Sequence, residues 1–130
     1  MGDPEGRYVI VKGKLEDKLL TIGSYYAPNI GQANFMQSFL RRAKEFAWGE
    51  IILGGDTNCI LNKIDTTSKN RKVSNDGNKI KKLLPRSGLI DGWRYLNPKE
   101  REYTSFSKRY FMFHHRPGWL GLMKLMFNTI

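Results

Sequence analysis

An acid and an amide, Asp56 and Asn58, follow a short apolar run in the stretch EIILGGDTNCIL, which begins at Glu50. The run predicts a buried strand, and in open α/β sheets the carboxyl ends of strands are where sites are commonly built. Gly54 and Gly55, just before the acid, would let the backbone turn sharply and leave room for a ligand or another chain. Such a carboxylate can accept a proton from water or hold a hard cation, and the amide can position that water or a phosphate oxygen. Both side chains are also common caps of a turn, so this stretch alone leaves the two interpretations open.

Tyr26, Asn29 and Thr104 are the other residues that could do chemistry, and each lies at or just past the end of a predicted strand. If those strands are neighbours, the three side chains converge with Asp56 and Asn58 on one edge of a sheet. A phenol there can donate to developing negative charge, so the set suits attack on a phosphodiester. Taken singly, Tyr26 also fits a strand-end aromatic that covers the core, Asn29 an ordinary turn residue and Thr104 a β-former.

Hydrophobic periodicity predicts the elements that would position these residues. Residues 33–48 carry apolar side chains on one helical stripe, and Gly49 follows where a helix would end. Residues 89–96 form a half-buried element in which Asp91 can cap a short helix. Residues 61–77 are polar and basic without a clear period, which predicts an exposed loop. The remaining elements are a hairpin of 7–12 and 19–26 joined by the charged sequence GKLEDK, a helix from Asn75 or Asp76 to Pro85 or Gly88, and one or two strands in 103–113.

The composition bounds the class of protein. A chain of 130 residues with 40% hydrophobic residues suffices for one domain with a modest core. Its 22 Lys and Arg against 12 Asp and Glu give a formal net charge of +10, so nucleic acid is the first partner to expect. Basic residues that merely solvate the surface are the alternative. The excess collects in residues 63–82 and 99–116, however, and this clustering favours binding.

The cysteine count and the N-terminal residues bear on the compartment. Cys59 is the only cysteine, which excludes an intrachain disulfide and a thiolate metal site and fits a reducing, intracellular compartment. The sequence MGDPEGRYVIVKGK lacks the basic-then-apolar order of a signal peptide. No apolar stretch reaches the ~18 residues of a spanning helix, so no membrane partner is expected. Residues 114–130 show none of the helix or strand periodicities described above and are predicted to be a poorly specified tail.

Four segments in order carry a resemblance to a known family. They are YAPN at 26–29, GGDTN at 54–58, LIDGWRYLNP at 89–98 and REYTSFS at 101–107. Together they resemble the exonuclease, endonuclease and phosphatase superfamily, specifically the apurinic-type endonuclease domain of LINE-type non-LTR retrotransposons. The resemblance implies an α/β fold, a partial two-sheet α/β sandwich (DNase-I-like) with mixed, mostly antiparallel strands and flanking helices. Residues 1–113 would form the partial domain and 114–130 a divergent C-terminal tail.

The resemblance also implies a role for each candidate residue. Asp56 would orient or deprotonate the attacking water, and Asn58 would contact the scissile phosphate and help position that water. Tyr26 would be the phenol near the phosphate, Asn29 a polar DNA contact and Thr104 a residue on the DNA-facing rim. The family's reaction is magnesium-dependent nicking of DNA, which exposes a primer end for reverse transcription. DNA is therefore the implied partner, Mg²⁺ the implied cofactor and the nucleus the implied location.

The sequence departs from the family's pattern at several points. The family's domain opens with a strand carrying an Asn and a strand carrying a metal-binding Glu, and this chain begins after both. Asp56 alone would hold Mg²⁺ weakly or not at all, so no metal ligand is assigned. The family's domain closes with a Ser-Arg-Ile-Asp-like strand and a final Ser-Asp-His segment that supplies a catalytic His. Here HHRPGWLGL begins where that strand should begin, and His114 and His115 lack its following Asp and the neighbouring Ser-Asp. Thr57 stands where Phe is usual, which removes an apolar anchor beside the catalytic pair, and Ser105 replaces an aromatic.

We therefore expect a fragment of a metal-dependent DNA endonuclease that is weakly active or inactive as this chain. The remainder of the endonuclease domain is a further expected partner. Two alternatives stay open, namely a basic nucleic-acid-binding module without catalysis and a non-functional remnant. Half of a two-sheet sandwich would also leave an apolar sheet face and unpaired strand edges in water.

Overall fold

Strands and helices alternate along the part of the chain that the structure, a computed structural model, describes: residues 1–67, 69 and 72–101, and the backbone of 105–107, 112–114 and 126–128. The strands are β1 (Tyr8–Leu15), β2 (Lys18–Tyr26), β3 (Glu50–Asp56), β4 (Leu89–Asp91), β5 (Ser105–Ser107), β6 (Met112–His114) and β7 (Met126–Asn128). The helices are α1 (Gln32–Phe46), α2 (Asn75–Arg86) and α3 (Gly92–Leu96), with a short 3-10 helix at Lys63–Asp65.

One mixed sheet has the strand order β1-β2-β3-β7-β4. β1 and β2 form an antiparallel hairpin, whereas β2 and β3 run parallel because α1 carries the chain back between them. β7 is antiparallel to both β3 and β4, and β5 pairs with β6 in a separate antiparallel ladder. This mixed, mostly antiparallel sheet with flanking helices confirms the predicted fold class.

The hydrophobic core lies between one face of the sheet and α1 with α2. Ile10 of β1 and Leu53 of β3 point into it, and Met36 and Phe39 of α1 meet them there, all at most 1% exposed. Tyr25 of β2 packs its ring 5.0 Å from that of Phe39. Burial of each such side chain contributes about 1.5–3 kcal/mol, so this layer fixes where β2 and β3 end relative to each other.

The opposite face of the hairpin is uncovered within the described residues. Val9, Val11 and Ile22 are 51%, 57% and 49% exposed, and Tyr26 lies on the same face at 51%. The alternation of buried and exposed side chains along β1 and β2 is the period-2 pattern of a sheet with one covered face. The expected uncovered apolar sheet face is therefore present.

Several predicted boundaries differ from the structure. The hairpin loop is only Glu16 and Asp17, since Leu15 pairs with Lys18 and Glu16 takes a positive φ of 53°. α1 ends at Phe46 rather than at 48. The second helix, predicted to stop at Pro85 or Gly88, ends between them at Arg86, with Pro85 inside its last turn. The predicted cap is confirmed, because the Asp91 side chain accepts a hydrogen bond from the backbone N–H of Arg94.

The prediction of an exposed loop over 61–77 is wrong for its first part. Residues Lys63–Asp65 form the 3-10 helix, and Asp65 and Thr66 are 0% and 3% exposed. A polar composition predicts exposure to water, whereas the Asp65 carboxylate is buried against the guanidinium of Arg94, 29 residues further along the chain. Met126–Asn128, within the predicted tail, forms β7 beside β3. The domain boundary at 113 stays a prediction.

Candidate active site

The parallel pairing of β2 and β3 brings two predicted site residues together. Tyr26 and Asp56 are register partners at the carboxyl ends of the two strands. The backbone N–H of Ala27 donates to the Asp56 carbonyl over 2.8 Å, which continues the ladder one residue past β2. Register partners on neighbouring strands share a face, so the Tyr26 phenol, half exposed, stands beside the buried Asp56 carboxylate.

A tight turn after β3 positions Asn58. The Asp56 Oδ1 accepts the backbone N–H of Asn58 over 2.8 Å, and Asn58 has a positive φ of 54°, a conformation that Asn tolerates better than most residues. Thr57 is 1% exposed, and its hydroxyl donates to the Cys59 carbonyl over 2.9 Å. The turn-capping interpretation is therefore correct as geometry, and the same geometry fixes the acid and the amide side by side.

Side-chain amides tie the loop after β2 to the loop after β3. The Asn58 Nδ2 donates to the Ala27 carbonyl over 2.8 Å. The Gln32 Nε2 donates to the carbonyls of Asn29 and Asn58 over 2.8 and 3.4 Å. Sequence reasoning missed Gln32, whose signal is a polar residue that starts an amphipathic helix just after the YAPN segment and is only 9% exposed. Tyr26, Asn29, Asp56 and Asn58 thus lie on one edge of the sheet, as predicted.

The two glycines before Asp56 do not make a turn. Gly54 and Gly55 continue β3, and neither has a positive φ. A Cβ on Gly55 would lie 2.1 Å from the Tyr25 carbonyl oxygen and 2.6 Å from its ring. The prediction of a sharp turn is wrong. The predicted room for a ligand or another chain stays a prediction, because the space beside Gly55 is taken by β2 of the same chain.

Two clefts flank this edge. One, of about 500 Å³, is lined by both Asn29 and Asn58 together with the first residues of α1 and α2. The other, of about 340 Å³, is lined by Tyr26 with Arg7 and Ser24. Arg7 is a cation that sequence reasoning did not assign, and it would offer a charge-assisted hydrogen bond to an anion held near the phenol.

A buried phenol lies behind the edge. Tyr25 is 4% exposed, and its hydroxyl has no hydrogen-bond partner among the described residues. Burial raises the pKa of Tyr25 well above its usual value, and the negative charges of Asp91 and Asp56 raise that pKa further. The phenol therefore stays neutral and cannot act as a base beside Asp56.

A buried ion pair holds the segment that follows the turn. The Arg94 guanidinium of α3 donates to the Asp65 carboxylate, and the two side chains are 13% and 0% exposed. The same carboxylate accepts the backbone N–H of Asn62 over 3.0 Å. α3, which the sequence predicted through its Asp91 cap, therefore anchors the chain leaving β3.

The residues at this edge do not fit a magnesium site by themselves. Mg²⁺ takes six oxygen ligands in near-octahedral geometry, and usually one or two carboxylates hold it. Asp56 already accepts the Asn58 N–H, and no group of three possible His, Cys, Asp or Glu ligands occurs in the described part of the chain. Thr104, the predicted rim residue, lies outside the described residues, as does His115. His114 is described only as the backbone end of β6.

Comparison with known proteins decides the fold. The chain superposes on an AP endonuclease from Archaeoglobus fulgidus with a TM-score of 0.63, at 18% identity over 96% of this chain and 53% of that one. It superposes on the endonuclease domain of TRAS1, a telomere-specific non-LTR retrotransposon, with a TM-score of 0.66, at 17% identity over 99% of this chain and 54% of that one. The chain has the fold of an apurinic-type endonuclease domain. It spans about half the length of these solved structures. No family model matches the sequence.

Proposed function

We propose that the chain is a fragment of a DNA endonuclease that carries the water- and phosphate-handling half of a phosphodiesterase site. The observation that supports this most is the register of β2 and β3, which sets Tyr26 against Asp56 with Asn58 fixed in the next turn. The endonuclease fold of both solved structures is consistent with it.

The residues divide the work according to their chemistry. The Asp56 carboxylate would accept a proton from, or orient, a water that attacks phosphorus. Asn58 and Asn29, which line the same cleft, would contact phosphate oxygens, and the exposed Tyr26 phenol would donate to the negative charge that develops on them. Thr104 would contribute to the DNA-facing rim. DNA as substrate implies work in the nucleus; within the described residues, no helix is long and apolar enough to cross a membrane.

Hydrolysis by this chain alone is proposed to be weak or nil. The family's reaction depends on Mg²⁺, and the described residues include no group of three His, Cys, Asp or Glu side chains that could hold the ion. The second candidate function, nucleic-acid binding without catalysis, is favoured by the same observation together with the net charge of +10.

Nicking of supercoiled plasmid with Mg²⁺ tests the proposal, with Asp56→Asn as the variant and Asp17→Asn as the control. Asp17 is exposed in the loop between β1 and β2, and its replacement changes the net charge equally. Slow nicking that Asp56→Asn abolishes and Asp17→Asn keeps would support a retained activity. If the chain does not nick the plasmid but binds DNA at low salt, and if Asn58→Ala weakens that binding, the result would support nucleic-acid binding without catalysis. Nicking that survives Asp56→Asn, or neither nicking nor binding, would overturn the proposal.

A further inference from the structure

A basic groove, with lining residues distinct from those of the β2–β3 edge, lies between α1 and α2. Lys79, Lys82 and Arg86 of α2 line one wall, and Asn34 and Gln37 of α1 line the other, around a volume of about 310 Å³. Spacings of three and four residues place the α2 cations on one helical face. We refer to these five residues as the α1–α2 groove.

The groove has an unbalanced positive charge. Its three cations are exposed, and no acidic side chain lines it within the part of the chain that the structure describes. Among the described residues, none of these cations forms an ion pair within 4 Å, whereas Arg41 on the outer face of α1 pairs with Glu45. The two amides opposite add neutral hydrogen-bond donors. The surface therefore suits an extended anion rather than a neighbouring acid of the same chain.

We propose that the α1–α2 groove binds the phosphate backbone of a nucleic acid, as a surface separate from the candidate catalytic residues. The seven steps of helix from Lys79 to Arg86 rise about 10 Å. One strand of duplex DNA carries a charge about every 3.4 Å of helix axis, so the stripe spans about three phosphates. A regular row of cations with amide donors opposite matches a regular polyanion.

The groove begins close to the candidate site. Ala33 on its floor follows Gln32, whose amide bonds the carbonyls of Asn29 and Asn58. A nucleic acid held in the groove would thus be kept near the β2–β3 edge without touching the reacting phosphate. This inference does not depend on hydrolysis at that edge, since binding alone tests it.

Salt-dependent binding of a fluorescent DNA duplex, measured by anisotropy in EDTA, is the direct test. The groove variant is Lys79→Gln, Lys82→Gln and Arg86→Gln together. The control is Lys18→Gln, Lys44→Gln and Lys81→Gln, which removes the same charge from exposed positions outside the groove. Gln is a good helix former, and circular dichroism melting confirms that each variant folds.

We expect the groove variant to lower the slope of log K against log salt by about 2.7, because each phosphate contact contributes about 0.9. Between 50 and 200 mM salt, wild-type affinity would then fall about 40-fold more than that of the groove variant. The slope of the control variant should differ from that of wild type by less than about 0.9, the contribution of one phosphate contact.

A groove variant whose slope matches the control would overturn the proposal, even if plasmid nicking is retained. Polyglutamate that displaces the duplex as well as unlabelled DNA does, at equal charge, would also overturn it in favour of an acidic protein partner. If the groove variant lowers the salt slope as expected but the wild-type chain does not nick DNA, the α1–α2 groove is supported as a binding surface and only hydrolysis is rejected.

Discussion

The buried pair of Asp65 and Arg94 allows a stability prediction with a defined magnitude. Arg94→Met keeps much of the packing volume but removes the cation that faces a carboxylate with 0% exposed side chain. Breaking a buried ion pair from one side costs about 3–5 kcal/mol, because the remaining charge stays buried without its counter-ion. A domain of this size has a total stability of about 5–15 kcal/mol, so the variant should lose a large share of it.

The double variant separates the stranded charge from other losses. Asp65→Asn with Arg94→Met leaves no uncompensated charge, and the Asn side chain can still accept the backbone N–H of Asn62. We expect this double variant to be about 2 kcal/mol more stable than Arg94→Met alone. Arg41→Met is the control, since its pair with Glu45 is exposed and should contribute at most about 0.5 kcal/mol.

Urea denaturation followed by circular dichroism measures these differences, provided that the slope with urea is the same for all variants. An Arg94→Met loss below about 1 kcal/mol would refute the buried-charge reasoning. A double variant less stable than Arg94→Met would refute it equally, because the cost would then lie in lost contacts rather than in a stranded carboxylate.

Three further predictions concern the strands behind the site. Tyr25→Phe removes a buried hydroxyl with no partner among the described residues, so the free energy of unfolding should stay unchanged or rise by about 1 kcal/mol; a clear loss in urea denaturation would mean that the hydroxyl is bonded. Folding raises the pKa of Tyr25 above its ordinary value of 10.0, so the neutral phenol is favoured in the folded state. The contribution of this neutral phenol to the stability of the fold is present below that pH and is lost as the pH rises above it. Wild-type stability should therefore fall by up to about 1.4 kcal/mol per pH unit more steeply than that of Tyr25→Phe above about pH 10, and parallel curves would contradict this. Gly55→Ala sets a Cβ 2.1 Å from the Tyr25 carbonyl and should lower the free energy of unfolding by about 1–3 kcal/mol. The control Gly13→Ala meets nothing within 4 Å and should leave that free energy nearly unchanged. Equal melting temperatures of the two variants would show that β2 and β3 can move apart at little cost in stability.

Local patterns were enough to predict most elements of this fold, though not the 3-10 helix at Lys63–Asp65 or β7. The apolar stripe of α1 and the cap at Asp91 depend on neighbouring residues, and both were predicted correctly within a few positions. The convergence of Tyr26 and Asp56 followed from the rule that strand ends share an edge, once the strands were taken as neighbours.

Features that depend on distant partners were not predicted. Asp65 is buried because Arg94, 29 residues away, faces it, and composition alone suggested an exposed loop. Gly55 serves the approach of β2, which only the parallel register reveals. The charge cluster in 63–82 was evident in the sequence, but the groove appears only when α1 supplies the opposite wall. Each miss concerns a contact between elements that no local period encodes.

A nuclear magnetic resonance titration of the ¹⁵N-labelled chain with a short DNA duplex shows whether the β2–β3 edge meets a phosphodiester. The backbone amides of Ala27 and Asn58 both donate to Asp56, one to its carbonyl and one to its carboxylate, so they report on this edge. Both amide signals should shift strongly on binding, in addition to any shifts at the α1–α2 groove. Tight binding of DNA that leaves the Ala27 and Asn58 signals unmoved would contradict this prediction.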